Sequence, residues 1–247
     1  MASKSETGHA INVAHFNDLI SFVTGYGTTY NPSNAALSLP ALQTLATSAG
    51  NSIAAINVAV APYNTAVAAR EVMYAPLSKL VTRVMSFLKA SGVSQQVYDS
   101  VNTVARKIKG GRASAKVAPA VPTGDETTAG EVKQVSASQM SYDSREENFA
   151  KFIQLLIAIP EYAPNEVELQ TATLTELSTG LKEKNDAVIN AEVPLSNARI
   201  QRNEVLYTST TGLCDIALTV KNYIKAIFGA TSPQYRQISK LTFKKVS

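Results

Sequence analysis

One stretch of this sequence occurs twice, and that repetition constrains the fold more than any other feature. Residues 30–89 lie over residues 162–221 at a shift of 132 positions, with twelve identities in sixty. About four would be expected by chance in so alanine-rich a chain. The identities include Tyr30 with Tyr162, Pro32 with Pro164, Leu37 with Leu169, Leu42 with Leu174, Pro62 with Pro194 and Arg70 with Arg202. We read this as an internal duplication.

The match extends at both ends once small length changes are allowed. At a shift of 133, Phe16, Leu19 and Ile20 meet Phe149, Phe152 and Ile153; at 137, Gly92, Tyr98 and Val101 meet Gly229, Tyr235 and Ile238. The expected organisation is a tail at 1–12, a helical unit at 13–108, a flexible linker at 109–145, a second helical unit at 146–241 and a tail at 242–247. A single unit would leave much of its apolar face wet, so the two are expected to form one elongated helical bundle.

Both units carry the helical apolar period. Leu42, Leu45, Ala49, Ile53, Ile56, Val60, Tyr63, Val67, Arg70 and Met73 step by three or four, and so do Leu174, Leu177, Leu181, Val188, Ala191, Leu195, Ala198, Arg202 and Leu206. Pro62 and Pro194 interrupt this pattern, since an interior proline removes a hydrogen bond and clashes with the preceding turn. They mark either a hairpin between two helices or a bend in one long helix; the apolar phase passes through without a skip, and no glycine of a sharp turn is nearby. Further helices are expected at Val13–Val23, Leu77–Ala90, Gln95–Lys107, Leu213–Phe228 and Pro233–Ser239, with Gly92 and Gly229 stopping two of them through a left-handed backbone. Ser33 or Asn34 is expected to cap the helix that follows the first loop, and Asn165 takes that position in the second unit. The fold class is therefore all-α.

Between the units, residues 109–141 are Gly, Ala, Ser, Thr, Pro and Val with scattered charges and no aromatic residue, the composition of a linker. The formal charge of +4 is spread out, without the block of like charge that marks a nucleic-acid face. A single cysteine, Cys214, excludes an intramolecular disulfide. The polar start of the chain lacks a secretory core, and no continuous run reaches the roughly eighteen apolar residues of a membrane span. The default expectation is a cytoplasmic protein, with surface association through a partner as the variant.

Residues that could carry chemistry are few. His9 and His15 lie six apart, on different helical faces, without a carboxylate pair. Gly110-Gly111-Arg112 lacks the spacing and the following Lys-Ser or Lys-Thr of a phosphate loop. No catalytic, cofactor-binding or metal-binding residue is assigned, and no cofactor is expected. The candidate interaction or structural residues are the recurring ones: Tyr30, Pro62, Arg70, Tyr162, Pro194 and Arg202. An arginine on the apolar phase of a helix either buries its stem and pairs locally or forms an anion or partner site.

The other unusual feature is charge. No charged residue occurs from Leu19 to Ala69, fifty-one positions, whereas the second copy contains Lys182-Glu-Lys-Asn-Asp186. The two copies therefore face different surroundings. Another part of the protein, a partner or a second copy is expected to cover the uncharged stretch; a membrane is the alternative.

The run Ala69-Arg-Glu with Pro76-Leu-Ser-Lys-Leu80, and Val220-Lys-Asn-Tyr-Ile-Lys-Ala-Ile-Phe-Gly-Ala-Thr-Ser-Pro-Gln-Tyr235, resembles a group of small Bacteroidota proteins, some labelled haemagglutinins of the HagB type. The resemblance implies an adhesive role and carries no binding or catalytic residues with it. The expected function is a non-enzymatic structural or protein-interaction helical-repeat protein. The alternative is a membrane-active or pore-forming protein that uses residues 19–69.

Overall fold

The structure, a computed structural model, describes residues 7–110 and 140–245. It is all-α, with no strand among those residues. The helices are α1 (Thr7–Gly25), α2 (Leu39–Tyr74), α3 (Leu77–Ala90), α4 (Gln95–Lys109), α5 (Tyr142–Ile157), α6 (Thr171–Tyr207), α7 (Leu213–Phe228) and α8 (Pro233–Ser239). Short 3-10 turns at Ala35–Leu37 and Val167–Leu169 precede the two long helices.

The prolines sit inside α2 and α6, which run through them unbroken. Pro62 and Pro194 are exposed, as are Val58 and Asn190 four residues back, so water can reach the carbonyls that lose an amide partner. A hairpin would instead have split an apolar ladder that recurs every seven residues. In α6 that ladder is Leu174, Leu181, Val188, Leu195 and Arg202, all buried; in α2 it is Leu42, Ala49, Ile56, Tyr63 and Arg70, buried or half-buried throughout.

Two compact units result, and each draws on both sequence repeats. Of the described residues, one comprises 7–64 and 190–245, the other 65–110 and 140–189. In the first, α1, the early part of α2, the late part of α6, α7 and α8 enclose Phe16, Leu19, Leu42, Leu206, Val220 and Ile238. A smaller layer of Ile56 and Ala59 against Leu195 and Ala198 joins α2 to α6 in the same unit. In the second, the end of α2, α3, α4, α5 and the early part of α6 enclose Leu77, Val84, Ile108, Phe149, Phe152 and Leu174.

Three boundaries differ from the sequence expectation. The tail expected at 1–12 is helical from Thr7, and His9 and Asn12 are 5% and 2% exposed. Apolar periodicity missed this turn because its buried residues are polar and satisfied by hydrogen bonds. The linker expected at 109–145 loses Tyr142–Arg145 to α5, which Ser141 caps by accepting from Ser144 N; its residues 111–139 lie outside the described residues. The tail expected at 242–247 is bound along Thr242–Lys245, as described below. Asn34 accepts from Ala36 N as a cap should, but Asn165 does not cap, and Glu166 stands at that position without a side-chain bond. Gly92 and Gly229 have φ of +82° and +92°, positive as expected, but Gly229 with ψ of 153° lies outside the left-handed helical region.

Candidate functional site

Arg70 and Arg202 hold the fifth position of the two seven-residue ladders, where a leucine would continue the core. Each therefore brings a guanidinium to a buried seam, and the two units satisfy it differently.

In the unit of residues 65–189, the Arg70 guanidinium lies over the Tyr142 ring, 3.9 Å from its centroid. Tyr142 meets Tyr74 edge to face at 4.8 Å, and the Arg145 guanidinium lies 5.3 Å from the Tyr74 centroid. The result is a row Arg70–Tyr142–Tyr74–Arg145, with a guanidinium at each end and the two rings edge to face. Cation–π contacts of this kind contribute about 0.5–2 kcal/mol each, more where water is excluded. Tyr74 donates its hydroxyl to the Tyr142 carbonyl at 3.3 Å and accepts from Asn185 Nδ2 at 2.9 Å. Three buried atoms, Nε of Arg70, Nε of Arg145 and Oδ1 of Asn185, have no hydrogen-bond partner among the described residues.

In the other unit, Arg202 is 5% exposed and donates Nε and Nη2 to Asn203 Oδ1 at 3.1 and 2.8 Å. Tyr207, the counterpart of Tyr74 at a shift of 133, bonds His9 Nδ1 at 2.7 Å and accepts from Asn12 Nδ2 at 3.2 Å. The same amide donates to the Lys244 carbonyl at 2.7 Å. Imidazole and amide groups here do what the second tyrosine and the second arginine do in the first cluster.

Tyr30 and Tyr162 form a matched pair elsewhere. Each donates its hydroxyl to a carbonyl seven residues on, Leu37 at 2.7 Å and Leu169 at 2.6 Å, and so closes the loop before the long helix. Each ring also meets another edge to face at 5.4 Å, Tyr30 with Tyr223 and Tyr162 with Phe87.

Burial pushes the Tyr30, Tyr74 and Tyr162 phenols up to about 12; for Tyr74 the Asn185 bond and Arg145 pull the other way, while Glu146 and Asp143 add to the rise. Tyr223 adds to the rise at Tyr30. A phenol ionising that high is a poor base at neutral pH. Burial and the neighbouring Asp215 raise the Cys214 thiol to about 11, against the thiolate a nucleophile needs. Among the described residues no group of three His, Cys, Asp or Glu side chains is placed to hold a metal.

Two grooves lie on the unit of residues 65–189. One, of about 480 Å³, is lined by Pro76, Leu80, Leu174 and Leu177 with Lys79, Arg83 and Glu168. The Arg83–Glu168 pair at 2.6 Å is solvent-exposed, and such pairs contribute about 0–1 kcal/mol. The second is lined by Val104, Ala150 and Leu155 with Glu147, Lys151 and Gln154.

No known protein family, curated protein or solved structure matches the chain. Its chemistry therefore rests on the geometry above.

The six residues singled out by recurrence fall into three kinds of place. Pro62 and Pro194 are exposed positions inside α2 and α6, Tyr30 and Tyr162 are loop clasps, and Arg70 and Arg202 each anchor a cluster. Sequence reasoning missed Tyr74, Tyr142, Arg145, Asn185, His9, Asn12 and Tyr207. One signal was available: Tyr74 and Tyr207 end the two long helices and recur at a shift of 133.

Proposed function

We propose that the chain is a non-enzymatic interaction protein that docks a protein partner through the charge-free outer face of α2. The supporting observation is one exposed helical stripe of Thr44, Ser48, Asn51, Ala55, Val58 and Pro62, in which Val58 is 75% exposed. Their counterparts in α6 are Glu176, Gly180, Glu183, Ala187, Asn190 and Pro194, so the second copy carries carboxylates where the first has none. Small uncharged side chains permit a close backbone approach and cost little desolvation when a protein surface covers them. The resemblance to the HagB-type group makes a protein on another cell's surface the partner to test first.

A membrane is the second reading, and one observation favours it. The helical stretch Leu39–Ala90 contains an eighteen-residue window of mean hydropathy 1.3, of which only 11% is buried. Averaged in this way the chain reaches the apolarity of a span, which the search for a continuous apolar run did not find. The stripe itself favours protein, because it lacks both the large apolar residues and the Lys and Arg of helices that lie on membranes.

The test compares the wild-type chain with the full chain carrying Ala55→Lys and Val58→Lys, both at exposed positions. Coated on beads, the wild type should agglutinate erythrocytes and the variant should not, with equal thermal stability. Flotation of the wild type with liposomes, lost in the variant, would replace this reading by the membrane one. Neither activity in the wild type would overturn both.

A further inference from the structure

Lys240–Lys245 are held as a peptide ligand is held. They follow α8 without regular structure, and Leu241 and Phe243 are half-buried while Thr242 and Lys244 are exposed, the alternation of a strand. The seat is made by α1 and α7, and most of its polar contacts go to main chain. Asn12 accepts from Lys244 N at 3.1 Å and donates to Lys244 O at 2.7 Å, satisfying both backbone groups of one residue as a neighbouring strand would. His15 Nδ1 bonds Thr242 O at 2.8 Å, and Lys221 Nζ donates to Ser239 O and Leu241 O at 3.2 and 3.0 Å.

Side-chain recognition is limited to three places. Leu241 and Phe243 pack on the core of this unit, His15 meets Phe243 edge to face at 6.2 Å, and Asp215 pairs with Lys245 at 3.2 Å. Main-chain bonds with pockets for alternate side chains are the working parts of strand-addition recognition. The segment also completes the bonding of the seat: Asn12 is 2% exposed and has Tyr207 as its other partner, and the Lys221 ammonium, whose pKa burial lowers, donates to two main-chain carbonyls of the segment.

We propose that this seat is a peptide-binding groove filled in cis by residues 240–245, and that it takes the same segment from a second copy of the chain. The seat's own chemistry selects that occupant: Asp215 suits a lysine two residues after the second apolar side chain, and the core receives a leucine and a phenylalanine two apart. The segment leaves α8 at a single junction, Ser239–Lys240. The residues involved are not those of the α2 face, so the two proposals stand or fall separately.

The probe is a fluorescent synthetic peptide with the sequence of residues 239–247, titrated into the full chain carrying Leu241→Gly and Phe243→Gly. It should bind at least tenfold more tightly than to the wild type, and adding Asn12→Ala should reverse that gain. Wild-type chain warmed and recooled at high concentration should show a dimer in sedimentation that Phe243→Gly lacks. Equal peptide binding to variant and wild type, or wild type monomeric at every concentration, overturns the proposal. Should the variant not fold, hydrogen exchange on the wild type decides. The Lys244 amide exchanging at least a hundredfold faster than the α7 core amides supports a segment that leaves by itself. Exchange at the same rate as α7 overturns it.

Discussion

Tyr30 donates its buried hydroxyl to the carbonyl oxygen of Leu37 at 2.7 Å. This bond, repeated by Tyr162 and Leu169 at 2.6 Å, closes an eight-residue loop over the start of each long helix. Tyr30→Phe and Tyr162→Phe keep the ring packing but orphan a carbonyl. Each should lower stability by about 1–3 kcal/mol, read as a shift in the urea midpoint with unchanged slope, and the two effects should add, since the sites lie in different units.

The same tyrosines set an alkaline limit. Their folded-state pKa, about 12, lies above the ordinary value of 10, so above pH 10 the unfolded chain loses phenol protons that the folded chain keeps. Stability should be fully present below pH 10 and fall as pH rises toward 12. Absorbance at 295 nm should show Tyr30, Tyr74 and Tyr162 ionising together with the loss of helical circular dichroism.

Pro62 and Pro194 are exposed and leave α2 and α6 without one hydrogen bond each. Replacing either by alanine should restore that bond and raise stability by about 1–3 kcal/mol. A fall in melting temperature would mean that the bend itself is needed by the core.

Two glycines inside the long helices make a contrast. An added methyl at exposed Gly50 meets nothing within 4 Å, whereas at Gly180 it meets the end of the Met73 side chain. Gly50→Ala should therefore gain the full helix-propensity term, about 0.5–1 kcal/mol, in thermal unfolding. Gly180→Ala should gain less, because Met73 has to move.

Ala59 is 9% exposed in the layer with Ile56, Leu195 and Ala198, while Ala54 on the same helix is exposed. Ala59→Lys should cost about 2–4 kcal/mol, reduced to the extent that the long side chain reaches water. Ala54→Lys should leave the melting temperature unchanged.

The helices themselves were legible in the sequence. Leu77–Ala90, Leu213–Phe228 and Pro233–Ser239 begin and end where apolar period, cap and glycine place them, because those rules act over a few residues. The continuity of α2 and α6 through proline was less legible: the penalty of proline is local, and what offsets it is a seven-residue ladder spanning the whole helix. The site residues were hardest to read. Arg70 and Arg202 stood out by falling on the apolar phase, but the groups of the two clusters change type: at the shift of 133 that lays Tyr74 on Tyr207, Tyr142 and Arg145 meet His9 and Asn12, which no identity marks.

Local sequence thus specified which residues are helical and which face of each helix is buried, since apolar area leaves water whatever covers it. It did not specify the cover. The repeats have similar apolar faces, so periodicity is equally compatible with each repeat folding on itself and with the exchange that occurs. Tertiary packing decided it: Tyr30 of the first repeat meets Tyr223 of the second, and Tyr162 of the second meets Phe87 of the first. A pairing across more than seventy residues is chosen by the fit of whole faces, which no window of neighbouring residues contains.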